Sequence, residues 1–213
     1  MDNKYHVLLN ECTGEFEDKK SRFLARMVPV RTEEEATLIL EQERKKYYDA
    51  KHHCSAFILE AEAGTMPLMR SSDDGEPQGT AGRPMLEVLR GADLRGVVVI
   101  VTRYFGGTLL GTGGLIRAYT AAVQDALSRA QIGLMTYGAS FSLTTDYNSV
   151  GKIQYQLSSR NITPVSSDYG TEVSMTLQVE EERAEEVRKM LIEVTAGQVK
   201  LSDNEWSYFT IRD

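Results

Sequence analysis

The sequence predicts an α+β protein of two domains, on three observations. The chain has 213 residues, more than one small domain needs and comfortable for two. Its C-terminal part runs strand, helix, strand, strand, helix, strand, which is the ferredoxin-like order. Its first part centres on an apolar, β-branched run, Val97–Val101, that leads into a glycine-rich stretch and then a helical pattern.

In chain order, residues 4–12 and 21–30 alternate as strands, with Phe23, Ala25 and Met27 on one face. Thr32 caps a helix through Tyr47, and Glu35 completes a capping box. Residues 54–62 and 66–71 read as strands. Residues 73–84 carry turn chemistry, and 85–89 a short helix. Val97–Val101 is a strand buried on both faces. Leu115–Ala130 is helical, with Leu115, Tyr119, Ala122 and Ala126 on one stripe and Gly133 just past its end. A boundary near Met135–Tyr137 divides the chain into domains 1–134 and 135–213. The second domain takes strands at 139–145, 162–168, 171–179 and 199–211, with helices Tyr147–Ser159 and Glu181–Thr195.

Several classes are set aside. No window reaches the apolar length of a membrane span. The N-terminus is charged, unlike a signal peptide, and two cysteines make no disulfide framework, so a cytoplasmic protein is expected. Net charge is −7: 17 basic against 19 acidic residues up to Leu134, and 7 against 12 after it. Neither part has the basic balance of a nucleic-acid binder, though net charge leaves its distribution open.

Five glycines fall between Gly106 and Gly114: Gly106, Gly107, Gly111, Gly113 and Gly114. Strand, glycine loop and helix is the layout of an anion cradle, with loop amides and a helix dipole facing the anion. No Gly-Lys-Ser/Thr follows, and the spacing is not the dinucleotide fingerprint. Arg103 and Arg117 bracket the loop and are suited to holding a phosphate or carboxylate. Arg117 is placed in the first helical turn, where a cation opposes the dipole. Both arginines would then serve binding rather than folding, and Gly113 would need positive φ or a close approach. The competing reading is tight packing by the glycines and ion pairing by the arginines.

Asp73, Asp74 and Glu76 offer oxygen ligands to a cation, a solvated turn, or partners for Arg83, Arg103 and Arg117; pairing is favoured and no metal is expected. His52 and Cys54 face one way on a strand and His53 the other. That is too few ligands for zinc, and core filling is favoured over a Cys–His nucleophile. One of Tyr104 and Phe105 should face the site, where a base can stack, and the other the core. Tyr119 is read as core.

Five segments together resemble the IMPACT family in its bacterial YigZ-type branch: "KSRFLA" (20–25), "AKHHCSAF" (50–57), "SSDDGEPQGTAGRP" (71–84), "VVVIVTRYFGG" (97–107) and "LGTGGLIRAY" (110–119). The resemblance implies a first domain like the second domain of ribosomal protein S-five, and a ferredoxin-like second domain like the last domain of elongation factor G. It implies a surface site at Arg103, Tyr104, Gly106, Gly107, Gly111, Gly113, Gly114, Arg117 and Tyr119, supported by His52, His53, Asp73, Asp74 and Glu76. Eukaryotic relatives regulate translation by competing for the activator of the amino-acid-starvation kinase, through an additional RWD domain. This chain opens almost directly on the shared domain, so that partner is not expected here. Some names in the family imply a proline dipeptidase, but no His, Asp and Glu set suits a dimetal peptidase.

The expected function is a non-enzymatic, translation-linked protein that binds RNA or a ribosomal partner through the Gly/Arg site. No cofactor, no membrane and no identified catalytic residue are expected. The alternative is an enzyme acting on a phosphorylated small molecule or nucleotide at the same loop.

Overall fold

The structure is a computed structural model that describes residues 4–61 and 65–212. Within it the chain forms two compact units, Tyr5–Leu134 with Arg212, and Met135–Ile211 with Lys4; the first three residues of the strand that opens the second unit, from Ile132, fall within the first. The last residue of the strand expected at 54–62, Glu62, lies outside the described residues.

The first unit contains β1 (Tyr5–Leu8), β2 (Cys12–Asp18), β3 (Ser21–Pro29), α1 (Glu33–Lys46), β4 (His52–Ile58), β5 (Met69–Ser72), α2 (Gly82–Gly91), β6 (Leu94–Arg95), β7 (Val97–Tyr104) and α3 (Gly111–Ser128). Strand β2 was not expected. Its sequence alternates Glu15 and Glu17 with Gly14 and Phe16, which hides an apolar face. Five strands form an antiparallel sheet in the order β2-β3-β7-β4-β5. β1 and β6 pair in parallel.

Strand β7 is the centre of the sheet, and its composition follows from that place. Val97, Val99 and Val101 enter one core with α2 and α3 residues such as Met85, Leu89, Leu115 and Tyr119. Val98 and Ile100 enter a second core with Ala36 of α1. A strand buried on both faces leaves no polar position until its end. Helix α1 begins as expected: Thr32 Oγ1 accepts from the Glu35 amide at 3.2 Å. The reciprocal bond shifts by one residue, because Glu35 accepts from the Arg31 amide at 2.7 Å.

The second unit contains β8 (Ile132–Thr145), α4 (Tyr147–Ser158), β9 (Ser166–Tyr169), β10 (Val173–Glu180), α5 (Glu181–Val194), β11 (Lys200–Leu201) and β12 (Glu205–Arg212). Strand β8 begins seven residues before the expected start at 139, so Gly133 lies inside it and not at a helix end. The strands run β9-β10-β8-β11, all antiparallel, which is the ferredoxin-like arrangement. Val173, Met175, Leu177 and Val179 enter the core beneath α4 and α5. The alternate residues of β10 are only partly buried.

Candidate functional site

Parity along β7 decides which face each site residue takes. Arg103 follows Val97, Val99 and Val101 onto the α2–α3 face, and Tyr104 takes the other. Across the sheet Arg103 stands opposite Phe23 of β3 and His52 of β4. The three therefore form a row at one end of the sheet.

Arg103 is almost fully buried. Its Nη1 donates to Glu76 Oε1 at 2.6 Å, with side-chain exposures of 7% and 3%. Tyr119 Oη donates to the same oxygen at 2.8 Å. The Cys54 sulfur lies 3.2 Å from Tyr119 Oη and 3.0 Å from the Asp73 carbonyl oxygen. Burial pushes the Cys54 thiol up to about 12 and the Tyr119 phenol further still. Both stay neutral donors. Tyr119 is thus a core residue, packed edge-on against Phe23, whose hydroxyl also completes this network. Arg103 was expected to serve binding rather than folding; the structure corrects this, because its charge is neutralised inside the fold.

The other acidic residues are also engaged. Asp73 Oδ2 accepts from the Gly79 amide at 2.7 Å, and Oδ1 from the Ala81 and Gly82 amides at 3.0 and 2.8 Å. Burial opposes its charge, yet these amides hold the carboxyl below its ordinary range. Asp74 pairs with Arg44 at 2.7 Å and accepts from the His53 amide at 2.7 Å. Pairing is therefore the role of Asp74 and Glu76, but Arg44 replaces Arg83 and Arg117 as a partner. His53 is buried, with Nε2 3.2 Å from the Tyr47 carbonyl oxygen. His52 Nδ1 lies 2.9 Å from the Asp74 carbonyl oxygen. Among the described residues no group of three His, Cys, Asp or Glu could hold a metal.

The glycine stretch divides in two. Helix α3 starts at Gly111, four residues earlier than its periodicity suggested, so Gly111, Gly113 and Gly114 form its first turn. Arg117 is consequently in the second turn, exposed, and opposes the dipole less than expected. Only Gly106–Leu110 is loop. A Cβ on Gly106 would lie 2.1 Å from the Lys20 carbonyl carbon, and the Gly106 amide donates to Ser21 Oγ at 3.1 Å. What the chain approaches so closely there is the Lys19–Lys20 turn between β2 and β3. Gly113 differs: a Cβ there meets nothing within 4 Å, and its φ is not positive. The expected constraint on Gly113 is absent.

Helix α3 has no side-chain cap and no acidic residue in its first turn. Its initial amides have no intrahelical acceptor. Beside it lies a cavity of about 420 Å³, whose lining includes the polar residues Lys51, His52, Glu76, Arg103 and Thr112 and the apolar residues Phe105, Leu109, Leu110 and Leu115, with Gly111. Phe105 is 53% exposed. Tyr104 enters no core; its hydroxyl donates to Asp49 at 2.7 Å.

Phe105 is one of the two residues expected to face the site, and it borders the cavity; sequence reading missed Leu109 and Lys51 there. The signal was present in Leu109, a large apolar residue inside a glycine loop. It also missed an aromatic cluster in the second unit, where Tyr137 packs on Trp206 and Tyr208 with ring centroids 6.1 and 5.2 Å apart. A hollow of about 600 Å³ between α4 and α5 is lined by mixed charges, Arg160, Glu186, Lys189 and Glu193 among them.

Comparison with known proteins places this arrangement. The Impact N-terminal domain matches residues 19–127, and a domain of unknown function, DUF1949, matches residues 143–198. The chain is 34% identical to the IMPACT family member YvyE of Bacillus subtilis (strain 168), covering 98% of this chain and 94% of that protein. It is 34% identical to the IMPACT family member YigZ of Escherichia coli (strain K12), over 87% of this chain and 90% of that one. A crystal structure of a hypothetical protein is 31% identical, with 96% and 99% coverage and a TM-score of 0.60. This is a two-domain protein of the Impact N-terminal and DUF1949 type. The chain belongs to the IMPACT family.

Proposed function

We propose that the chain is a translation-linked binding protein of the cytoplasm that engages RNA or a ribosomal partner through an anion site at the start of α3. Membership of the IMPACT family supports the link to translation. The observation that carries the site is the 18-residue helix with neither a side-chain cap nor an acidic first turn, opening beside a cavity edged by Lys51 and by the Arg103–Glu76 pair. Such a terminus concentrates positive potential on donors that lack partners. A binding role is favoured over catalysis because no P-loop lysine follows the glycines and no clear nucleophile stands by them, Cys54 being buried with its thiol pushed up to about 12.

The test is titration of the intact protein with single-stranded RNA at several salt concentrations. Affinity should fall steeply with salt, as counterion release demands. No binding of RNA at low salt would end the RNA reading, and retention of the protein by purified ribosomal subunits would then favour the ribosomal partner.

A further inference from the structure

Resting on that anion site, we propose that the cavity beside α3 takes a single nucleoside monophosphate unit, with its phosphate at the first-turn amides of α3 and its base against Phe105. Four observations meet there. The first turn of α3 is uncapped. Arg103, more than nine-tenths buried and bordering the same cavity, keeps an Nε–H without a hydrogen-bond partner. The Arg103 guanidinium lies over two rings, 5.4 Å from the centroid of Phe23 and 5.7 Å from that of Phe105. Phe105 is nevertheless 53% exposed, and Leu109 beside it is 82% exposed.

These features ask for one ligand with two ends. A bare anion satisfies the helix but leaves Phe105, Leu109 and Leu110 wetted. An apolar ligand covers the rings but leaves the amides unmet. A planar ring joined to a phosphate answers both, and a cation beneath Phe105 suits an aromatic ring stacked on it. The volume of about 420 Å³ is at the small-ligand end of the usual ~300–1,000 Å³ range, and fits one nucleotide unit better than a folded segment. The unit can come from a free nucleotide or from the end of an RNA.

The experiment compares AMP with ribose 5-phosphate, which keeps the phosphate and lacks the base, by calorimetry on the intact protein. AMP should bind roughly 10-fold tighter or more, as stacking on one aromatic side chain provides. Phe105→Ala and Leu109→Ala, both at exposed positions, should bring AMP down towards ribose 5-phosphate. A hexaribonucleotide with a 5′-phosphate, set against AMP, assigns the source: tighter binding than AMP points to an RNA end, equal binding to the free nucleotide. Equal affinities for AMP and ribose 5-phosphate, or variants that bind AMP as the parent does, overturn the inference and leave the anion site standing. RNA binding without AMP binding does the same. Failure of AMP, ribose 5-phosphate and RNA alike overturns the inference and the RNA reading together.

Discussion

Arg103 and Glu76 form an ion pair at 2.6 Å in which both side chains are almost wholly withdrawn from water. Glu76 reaches it from the turn before α2 and Arg103 from the end of β7, so the pair ties the turn to the central strand. Its oxygen also takes the Tyr119 hydroxyl of α3, which brings a third element to the same point.

Removing one partner should therefore damage the fold. Arg103→Ala strands the Glu76 carboxylate and should cost about 3–5 kcal/mol. Denaturant midpoints measure this directly. A loss below about 1 kcal/mol, the size of a surface pair, would mean that the pair is not structural.

Arg117 should behave in the opposite way. It is exposed on the second turn of α3, and among the described residues it has no ion pair. Arg117→Ala should change stability by no more than about 0.5 kcal/mol. If RNA is held at α3, the variant should lower the slope of affinity against salt by about one phosphate contact. An unchanged salt slope would detach Arg117 from the site.

The contrast between these arginines marks what the sequence made legible. Hydrophobic pattern announced β7, the Phe23–Ala25–Met27 face and the alternation of β10, because burial leaves a period in the residues. It could not announce that Arg103 continues the buried face of β7, since a charge at a strand end ordinarily marks the surface. Nor could it join Arg44 to Asp74, a pair that only the sheet brings together. The start of α3 was hidden for another reason: three of its first four residues are glycine, which have low helix propensity and no apolar side chain to show periodicity. The same glycines suggested an anion cradle in a loop; the structure places Gly111, Gly113 and Gly114 on the first turn of a helix instead.

Two glycine substitutions separate architecture from site. Gly106→Ala drives a Cβ into the backbone of the Lys19–Lys20 turn and should destabilise by about 1–3 kcal/mol. Gly113→Ala meets open space and should stabilise α3 by roughly 0.5–1 kcal/mol. If a phosphate sits on the first turn, the added methyl should also weaken RNA binding. A Gly113→Ala protein that is more stable and binds equally well would show that no ligand approaches that residue.

Asp73 should give the protein a defined acid sensitivity. Its carboxylate joins the Gly79, Ala81 and Gly82 amides, two of them at the entrance to α2, and these hold its pKa below the ordinary value against the opposing effect of burial. A carboxyl whose pKa is lower in the folded state binds fewer protons there than in the unfolded chain. Its contribution to stability is therefore complete well above the unfolded value of about 3.9, and is lost as pH falls through the folded value. At pH 7, Asp73→Asn should cost about 1.5–3 kcal/mol, since the amide nitrogen cannot accept the bond that one carboxylate oxygen accepts and the charge is gone. The difference between parent and variant should stay constant from pH 7 to about pH 5, then shrink below about pH 4 as the parent is protonated. Urea midpoints of both proteins from pH 7 to pH 3 test this. A difference that persists unchanged at the acid end would mean that the charge of Asp73 contributes nothing, and that its hydrogen bonds hold the turn without it.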